Sequence, residues 1–433
     1  GITVSAGQTL TLNNIVLNNL KDYAVDNQGS LILQGTSSVA NSNIIDSQAT
    51  KTGQLTVGDG VNLNMLEHTI SQSTITNNGN LVVTLNNMSV DNDITNNGNM
   101  YINGATTEEF RHVLNNNITG TGMVFFGPRA TESNYTEIAE GKEISTNVQI
   151  YGLGTYYTAG VTNSGTISGD VDVRVGGVLT SNLSNLTGSA INNFGTINAT
   201  GGTLGTAITD VNHTGTLNIK GNVTNGGYNI QQNKINIEQN TSLVTNANNL
   251  NITDKIYNAS MLQLTGGTNT AEVAGLTVSD TLYKGYVRIS GDTINNADMD
   301  ILELLNYGSA TLTNNAGIVT ENSLNINTSG LQINGTGSID VDGLTVGSNA
   351  TLTQTGGITT HGMVQNAGTI TGDMTLLYHG YGNNEFYQYG TVDGNVTLDS
   401  TYNSYLFMEN GSSITGQIIN NGGGVFVFPG VGA

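Results

Sequence analysis

Asn77-Asn78-Gly79-Asn80-Leu81-Val82-Val83 and, one unit later, Asn96-Asn97-Gly98-Asn99-Met100-Tyr101-Ile102 decide the fold of this chain. Each phrase opens on an Asn/Gly corner, adds a small polar residue and runs into an apolar-x-apolar dyad. It recurs at Gly29-Ser30-Leu31-Ile32-Leu33, Gly53-Gln54-Leu55-Thr56-Val57, Gly122-Met123-Val124-Phe125-Phe126, Gly165-Thr166-Ile167, Gly195-Thr196-Ile197 and Gly215-Thr216-Leu217-Asn218-Ile219. Later copies stand at Gly337-Ser338-Ile339-Asp340-Val341, Gly368-Thr369-Ile370 and Gly390-Thr391-Val392. A period of roughly 20 to 30 residues marks a repeat architecture. Alternate side chains of a strand point to opposite faces, so Leu31 with Leu33, Leu55 with Val57, Leu81 with Val83 and Leu217 with Ile219 point inward together. Stacked turn on turn, these dyads form apolar columns, which is the pattern of an all-β chain wound as a parallel β-helix, or β-solenoid.

The corners follow from the same chemistry. Gly and Asn tolerate the positive φ that a corner asks for, and stacked Asn side chains can hydrogen-bond as amide ladders. Proline would remove a ladder donor, and the chain has only 2. Antiparallel hairpins also use Asn-Gly turns. The units are, however, shorter than the roughly 100 residues of a sandwich, and the phrase recurs at one place in every unit. The reading is one continuous β-helix over 1–433. At roughly 20 to 25 residues per rung this gives on the order of 17 to 21 rungs and a rod of roughly 80 to 100 Å. Departures are expected at 105–145, an irregular excursion; at 151–157; at 378–389, an aromatic loop; and at 424–433, an apolar terminal strand. Between Gly221 and Gly308 the phrase is blurred.

Composition narrows the class. Of 433 residues, 36% are apolar and only 10% charged, with 58 Gly. Low charge combined with regular dyads fits a thin core better than disorder, and collagen would need Gly at every third position. Eleven basic residues face 32 acidic ones, for a net charge of −21. That argues against nucleic acid, which needs a basic stripe, and against anionic lipid. The acidity either keeps an extracellular protein soluble or supplies carboxylates to calcium. There is no Cys, hence no disulfide framework. No apolar run approaches the roughly 18 residues of a membrane span, and no leader is visible, so the chain is expected to be a processed segment.

With its repeated Asn-Asn-Gly-Asn-Leu and Asn-Ser-Gly-Thr-Ile-Ser-Gly phrases and its opening Ile2-Thr3-Val4-Ser5-Ala6-Gly7-Gln8-Thr9-Leu10, the chain resembles the passenger domains of bacterial autotransporter adhesins and related secreted β-helix surface proteins. The resemblance covers nearly the whole chain. It implies the cell surface and adhesion, autoaggregation or a surface coat, and leaves activity open. Such proteins end in a membrane β-barrel that this sequence lacks, so the barrel is expected to have been cleaved, or export to follow another route. The composition is also similar to that of surface-layer proteins.

No Gly-x-Ser-x-Gly elbow, His-Glu-x-x-His motif or phosphate-binding loop occurs. For polysaccharide cleavage the candidate cluster is Asp170, Asp172 and Arg174, alternating along one strand; its plainer reading is an exposed ion pair. Asp298/Asp300 and Asp340/Asp342 have the spacing to offer oxygens to calcium, or to sit on solvated faces. The histidines, His68, His112, His213, His361 and His379, are scattered. Tyr378, Tyr381, Phe386, Tyr387 and Tyr389, with Tyr402 and Tyr405 one unit on, form a candidate binding patch, or a stack bracing a loop. Ile2 and Val4 at one end, and Val425, Phe426, Val427 and Phe428 at the other, are candidate assembly strands. The expectation is a non-enzymatic extracellular bacterial surface protein, structural or adhesive, self-assembling through its end strands. It needs no cofactor, calcium aside, and its partners are itself or a host or matrix protein or glycan. A β-helix carbohydrate-active enzyme is the alternative.

Overall fold

Successive phrases of the repeat pair side by side in the computed structural model, which describes residues 1–18, 20, 25–128, 131–154, 156–378 and 384–429. The chain is 56% strand and 3% helix and divides into two units, 1–218 and 219–433. Each is a parallel β-solenoid, with about 21 turns in all. In the first unit, Asn62–Met65, Asn80–Thr84, Asn99–Asn103, Met123–Phe126 and Asn147–Ile150 form one parallel ladder. Its register aligns Leu63, Leu81, Met100, Val124 and Val148, all buried. In the second unit, Leu324, Leu344, Val364, Phe386 and Leu406 form such a column, and Val427 follows in register but exposed. Among the described residues no helix is long and apolar enough to cross a membrane.

The glycine that opens each phrase serves a purpose the sequence reading missed. Gly79, Gly98 and Gly122 do not have positive φ. They lie in successive turns, and a Cβ on Gly98 would stand 2.0 Å from the Gly79 carbonyl oxygen, as one on Gly122 would from that of Gly98. The corner is pinched until only hydrogen fits between backbones. Positive φ falls on other residues, among them Gly60 at 76° and Asn14 at 55°.

Polar columns complete the interior. In register after Leu12, Leu33 and Val57 come Asn77 and Asn96. The Asn77 amide donates to Asn96 Oδ1 at 2.7 Å and to the Asn99 carbonyl at 2.9 Å. A longer ladder in the second unit runs Asn269 to Asn295 to Asn314, each step 2.9 Å. The next turn supplies Gly335, whose Cβ would strike the Asn314 carbonyl oxygen. Asn314 reaches across it to Gln354 Oε1, also at 2.9 Å. The longer amide spans the turn that offers none.

Two expected departures differ in the structure. The stretch 105–145 carries the strands His112–Leu114, Ile118–Thr119, Met123–Phe126, Asn134–Ile138 and Glu143–Ile144, all in parallel pairs. What breaks the phrase there is local: a 3-10 turn at Glu108–Phe110 and an antiparallel bridge from Ala105 to Tyr135. Within 378–389, Asn384–Gln388 is a ladder strand, while 379–383 lies outside the described residues. Val425–Pro429 is a strand paired in parallel with Ser404–Met408. The blur between Gly221 and Gly308 contains an antiparallel hairpin, Leu276–Val278 with Thr281–Tyr283, turning on Ser279 and Asp280 at φ 47° and 64°.

Gly98→Ala should lower stability by about 3 kcal/mol or more, because backbone cannot yield. Gly60→Ala, with nothing within 4 Å, should cost only the roughly 1–2 kcal/mol of a left-handed residue. Urea unfolding compares them. Asn295→Ala should cost about 1–3 kcal/mol by stranding buried amides, and Asn315→Ala, whose bond to Asn296 is exposed, under about 0.5 kcal/mol.

Candidate functional site

The acidic residues mostly hold turns to one another. Asp26, Asp170, Asp292, Asp298 and Asp373 each accept a backbone N–H from the next turn, from Ser47, Ser189, Thr311, Gly317 and Asn395 at 2.8 to 3.0 Å. In the cluster proposed from sequence, Asp170 also accepts the Ser189 hydroxyl and the Ala190 N–H. Asp172 pairs with Arg174 at 2.7 Å and accepts the Gln149 amide, and Arg174 lies over the Phe194 ring. Asp300 pairs with Lys284 and Asp340 with His361, each at 2.7 Å. Among the described residues no three His, Asp or Glu side chains gather to hold a metal ion. His379 lies outside them.

The aromatic residues near the end of the second unit sort by face. Phe386 points inward and is 0% exposed, which corrects its place in the binding patch: alternation puts it in the core column. Its neighbours point outward and stack from turn to turn. Tyr387 lies on Phe407 at 4.7 Å, Phe407 on Phe428 at 5.0 Å, and Tyr405 on Phe426 at 5.3 Å, with planes within 17° of parallel. The Tyr387 hydroxyl donates to Glu385 at 3.0 Å, and that bond, with some burial, raises its pKa. Tyr378 is half-buried on the strand Met374–Tyr378, while Tyr389 and Tyr402 are exposed beyond the strand ends. Tyr381 lies outside the described residues.

The candidate assembly strands are unlike each other. Ile2 is half-buried and Val4 buried, on a strand paired with Val25–Asn27. Phe426 and Phe428 are 45% and 43% exposed, and Val427, in register with buried Leu406, is 52% exposed. Among the described residues Val425–Pro429 has a ladder partner on one side only.

A second aromatic site, in the first unit, escaped the sequence reading. Outward residues Asn64, Val82, Tyr101, Phe125 and Gln149 stand in register on adjacent strands. Tyr101 stacks on Phe125 at 4.7 Å and 11°. Tyr151 lies over Gly127, where a Cβ would stand 2.1 Å from its Cζ. Leu66, Val82, Tyr101, Asn103, Phe125, Pro128 and Tyr151 line a groove of about 510 Å³. A smaller hollow beside it shares Val82 and Tyr101 and adds Asn62, Asn64 and Asn80. Burial, and then Tyr101, raise the Tyr151 pKa. The signal was present: Tyr101 and Phe125 occupy the same place in successive copies of the repeat.

Phe407→Ala removes the ring between Tyr387 and Phe428. It should cost about 1–2 kcal/mol, seen as roughly tenfold faster hydrogen exchange at Val425–Phe428 with unchanged exchange in the first unit.

Set against known proteins, the chain matches no protein-family model, and no curated protein or solved structure matches it either.

Proposed function

We propose that this chain is a non-enzymatic extracellular protein of a bacterial surface, structural or adhesive, that joins to further copies of itself through the strand Val425–Pro429. The observation that carries the reading is that strand. It offers unpaired backbone on one side among the described residues, the exposed core-column residue Val427, and Phe426 and Phe428 at the head of two ring stacks. A parallel strand laid beside it would extend the ladder and both stacks, which is how edge strands recruit partners. The strand Ile2–Val4 of a second copy, itself paired on one side only among the described residues, is a partner of the right kind. A head-to-tail contact of this sort propagates into a filament unless the rotation closes a ring. Carboxylates committed to inter-turn bonds and ion pairs support a structural over a hydrolytic reading, and a cysteine-free chain suits export. The resemblance to autotransporter passengers belongs to the same proposal.

Negative-stain electron microscopy and sedimentation of the purified protein over rising concentration test it. Filaments or concentration-dependent oligomers are expected, lost in the Phe426→Asp/Phe428→Asp double variant, whose circular dichroism should remain that of the parent. Monomers at every concentration, or assembly unchanged by the double variant, refute self-association through this strand. Release of product from acidic polysaccharides would refute the non-enzymatic reading.

A further inference from the structure

We infer that the groove over Val82, Tyr101, Phe125 and Tyr151 is a binding site for a neutral oligosaccharide, with a sugar ring lying on the free face of Tyr101. The inference goes beyond self-association and stands without it, since it concerns other residues in the other unit.

The argument starts from how rings stack on a solenoid. Successive turns bring equivalent side chains about 4.8 Å apart, close to the separation of two stacked rings. A run of aromatics in one column therefore buries ring faces against each other and shows solvent only edges. Tyr101 has one face on Phe125. On its other side the column position is Val82 and, beyond that, Asn64. Neither reaches as far out as a phenol ring. The column steps down, and the second face of Tyr101 forms the wall of a hollow floored by Val82 and rimmed by Asn62, Asn64 and Asn80.

The surroundings are shaped for a ligand. Gly127 lacks the side chain that would exclude the Tyr151 ring, and Tyr151 with Pro128 closes one flank of the groove. Its volume of about 510 Å³ falls within the ~300–1,000 Å³ of small-molecule sites. The chemistry selects the occupant. Among the described residues no Asp, Glu, Lys, Arg or His lines either hollow, in a chain of net charge −21. Anionic glycans find no cation among the described residues there and are repelled at longer range by the net charge. A neutral pyranose matches on both counts: its C–H face packs on the ring, and its hydroxyls exchange hydrogen bonds with amides and with the Tyr151 hydroxyl. The amides of Asn62, Asn80 and Asn99 already form a surface ladder across successive turns, with bonds of 2.6 and 2.9 Å. It runs beside the groove and offers polar groups at regular spacing to a chain-like ligand.

The test is binding of the whole chain to an array of neutral glucose-, mannose-, galactose- and N-acetylglucosamine-based oligosaccharides, with polygalacturonate and heparin as anionic arms, followed by calorimetry on the best ligand. Retention on at least one neutral series and none on the anionic arms is expected. Tyr101→Ala should weaken binding more than tenfold, and Tyr101→Phe, which keeps the face, less than threefold. Val82→Phe should fill the hollow and abolish binding while leaving thermal unfolding unchanged or higher, which separates a blocked site from a misfolded one. Phe426→Asp/Phe428→Asp should bind as the parent does. No retention on any neutral series, equal retention on the anionic arms, or full binding by Val82→Phe would overturn the inference.

Discussion

Everything in this molecule depends on the hydrogen-bonded approach of one turn to the next. Parallel ladders fix that approach at about 4.8 Å, and whatever one turn places at a position must coexist with its equivalents above and below. Apolar dyads satisfy the condition by interdigitating, as Leu63, Leu81, Met100, Val124 and Val148 do. Corners satisfy it by shedding side chains: Gly79, Gly98 and Gly122 meet backbone to backbone. Aspartates turn it to use by capping the amides of the following turn, as Asp170 does for Ser189. An acidic composition that reads as solubility, or as calcium binding, is in large part a set of bonds between turns.

Buried amides show how strict the condition is. An Asn inside the solenoid has two donors and one acceptor to satisfy away from water, and a second Asn one turn away meets it with no change of geometry. When the neighbouring position is Gly335, an Asn beyond it would fall short; the chain places Gln354 there, and the extra methylene closes the gap to Asn314. The same device joins Asn27 to Gln72 at 2.6 Å across two turns. The longer amide is not confined to that use, since Asn366 donates to Gln388 Oε1 at 3.0 Å in the very next turn.

The fold was legible because the repeat writes it directly: Gly79 to Val83 and Gly98 to Ile102 each contain the corner, the strand and its inward face. The amide ladders were legible for the same reason. What misled was the treatment of glycine as a source of positive φ, since a sequence does not say whether a missing Cβ is needed for torsion or for space. The stretch 105–145 read as irregular because the 3-10 turn Glu108–Phe110 and the Ala105–Tyr135 bridge interrupt a pattern that strands such as Asn134–Ile138 still obey. In the candidate patch, residue type alone grouped Phe386 with Tyr387. Alternation separates them, one into the core and one onto the surface, and it was available from the strand phase once Asn384–Gln388 was seen as a strand and not a loop.

The two aromatic columns answer the same constraint in opposite ways. Tyr387, Phe407 and Phe428 stack turn on turn, with Gln365 in register before Tyr387, so at the last paired strand the outer face of Phe428 looks along the stacking direction. A surface of that kind suits another strand carrying another ring. Tyr101 and Phe125 form a column interrupted by Val82, so a ring face opens sideways into a hollow with amides at its rim. A surface of that kind suits a flat molecule with polar edges. What a stacked ring on a solenoid shows to solvent is set by the size of the residue one turn away.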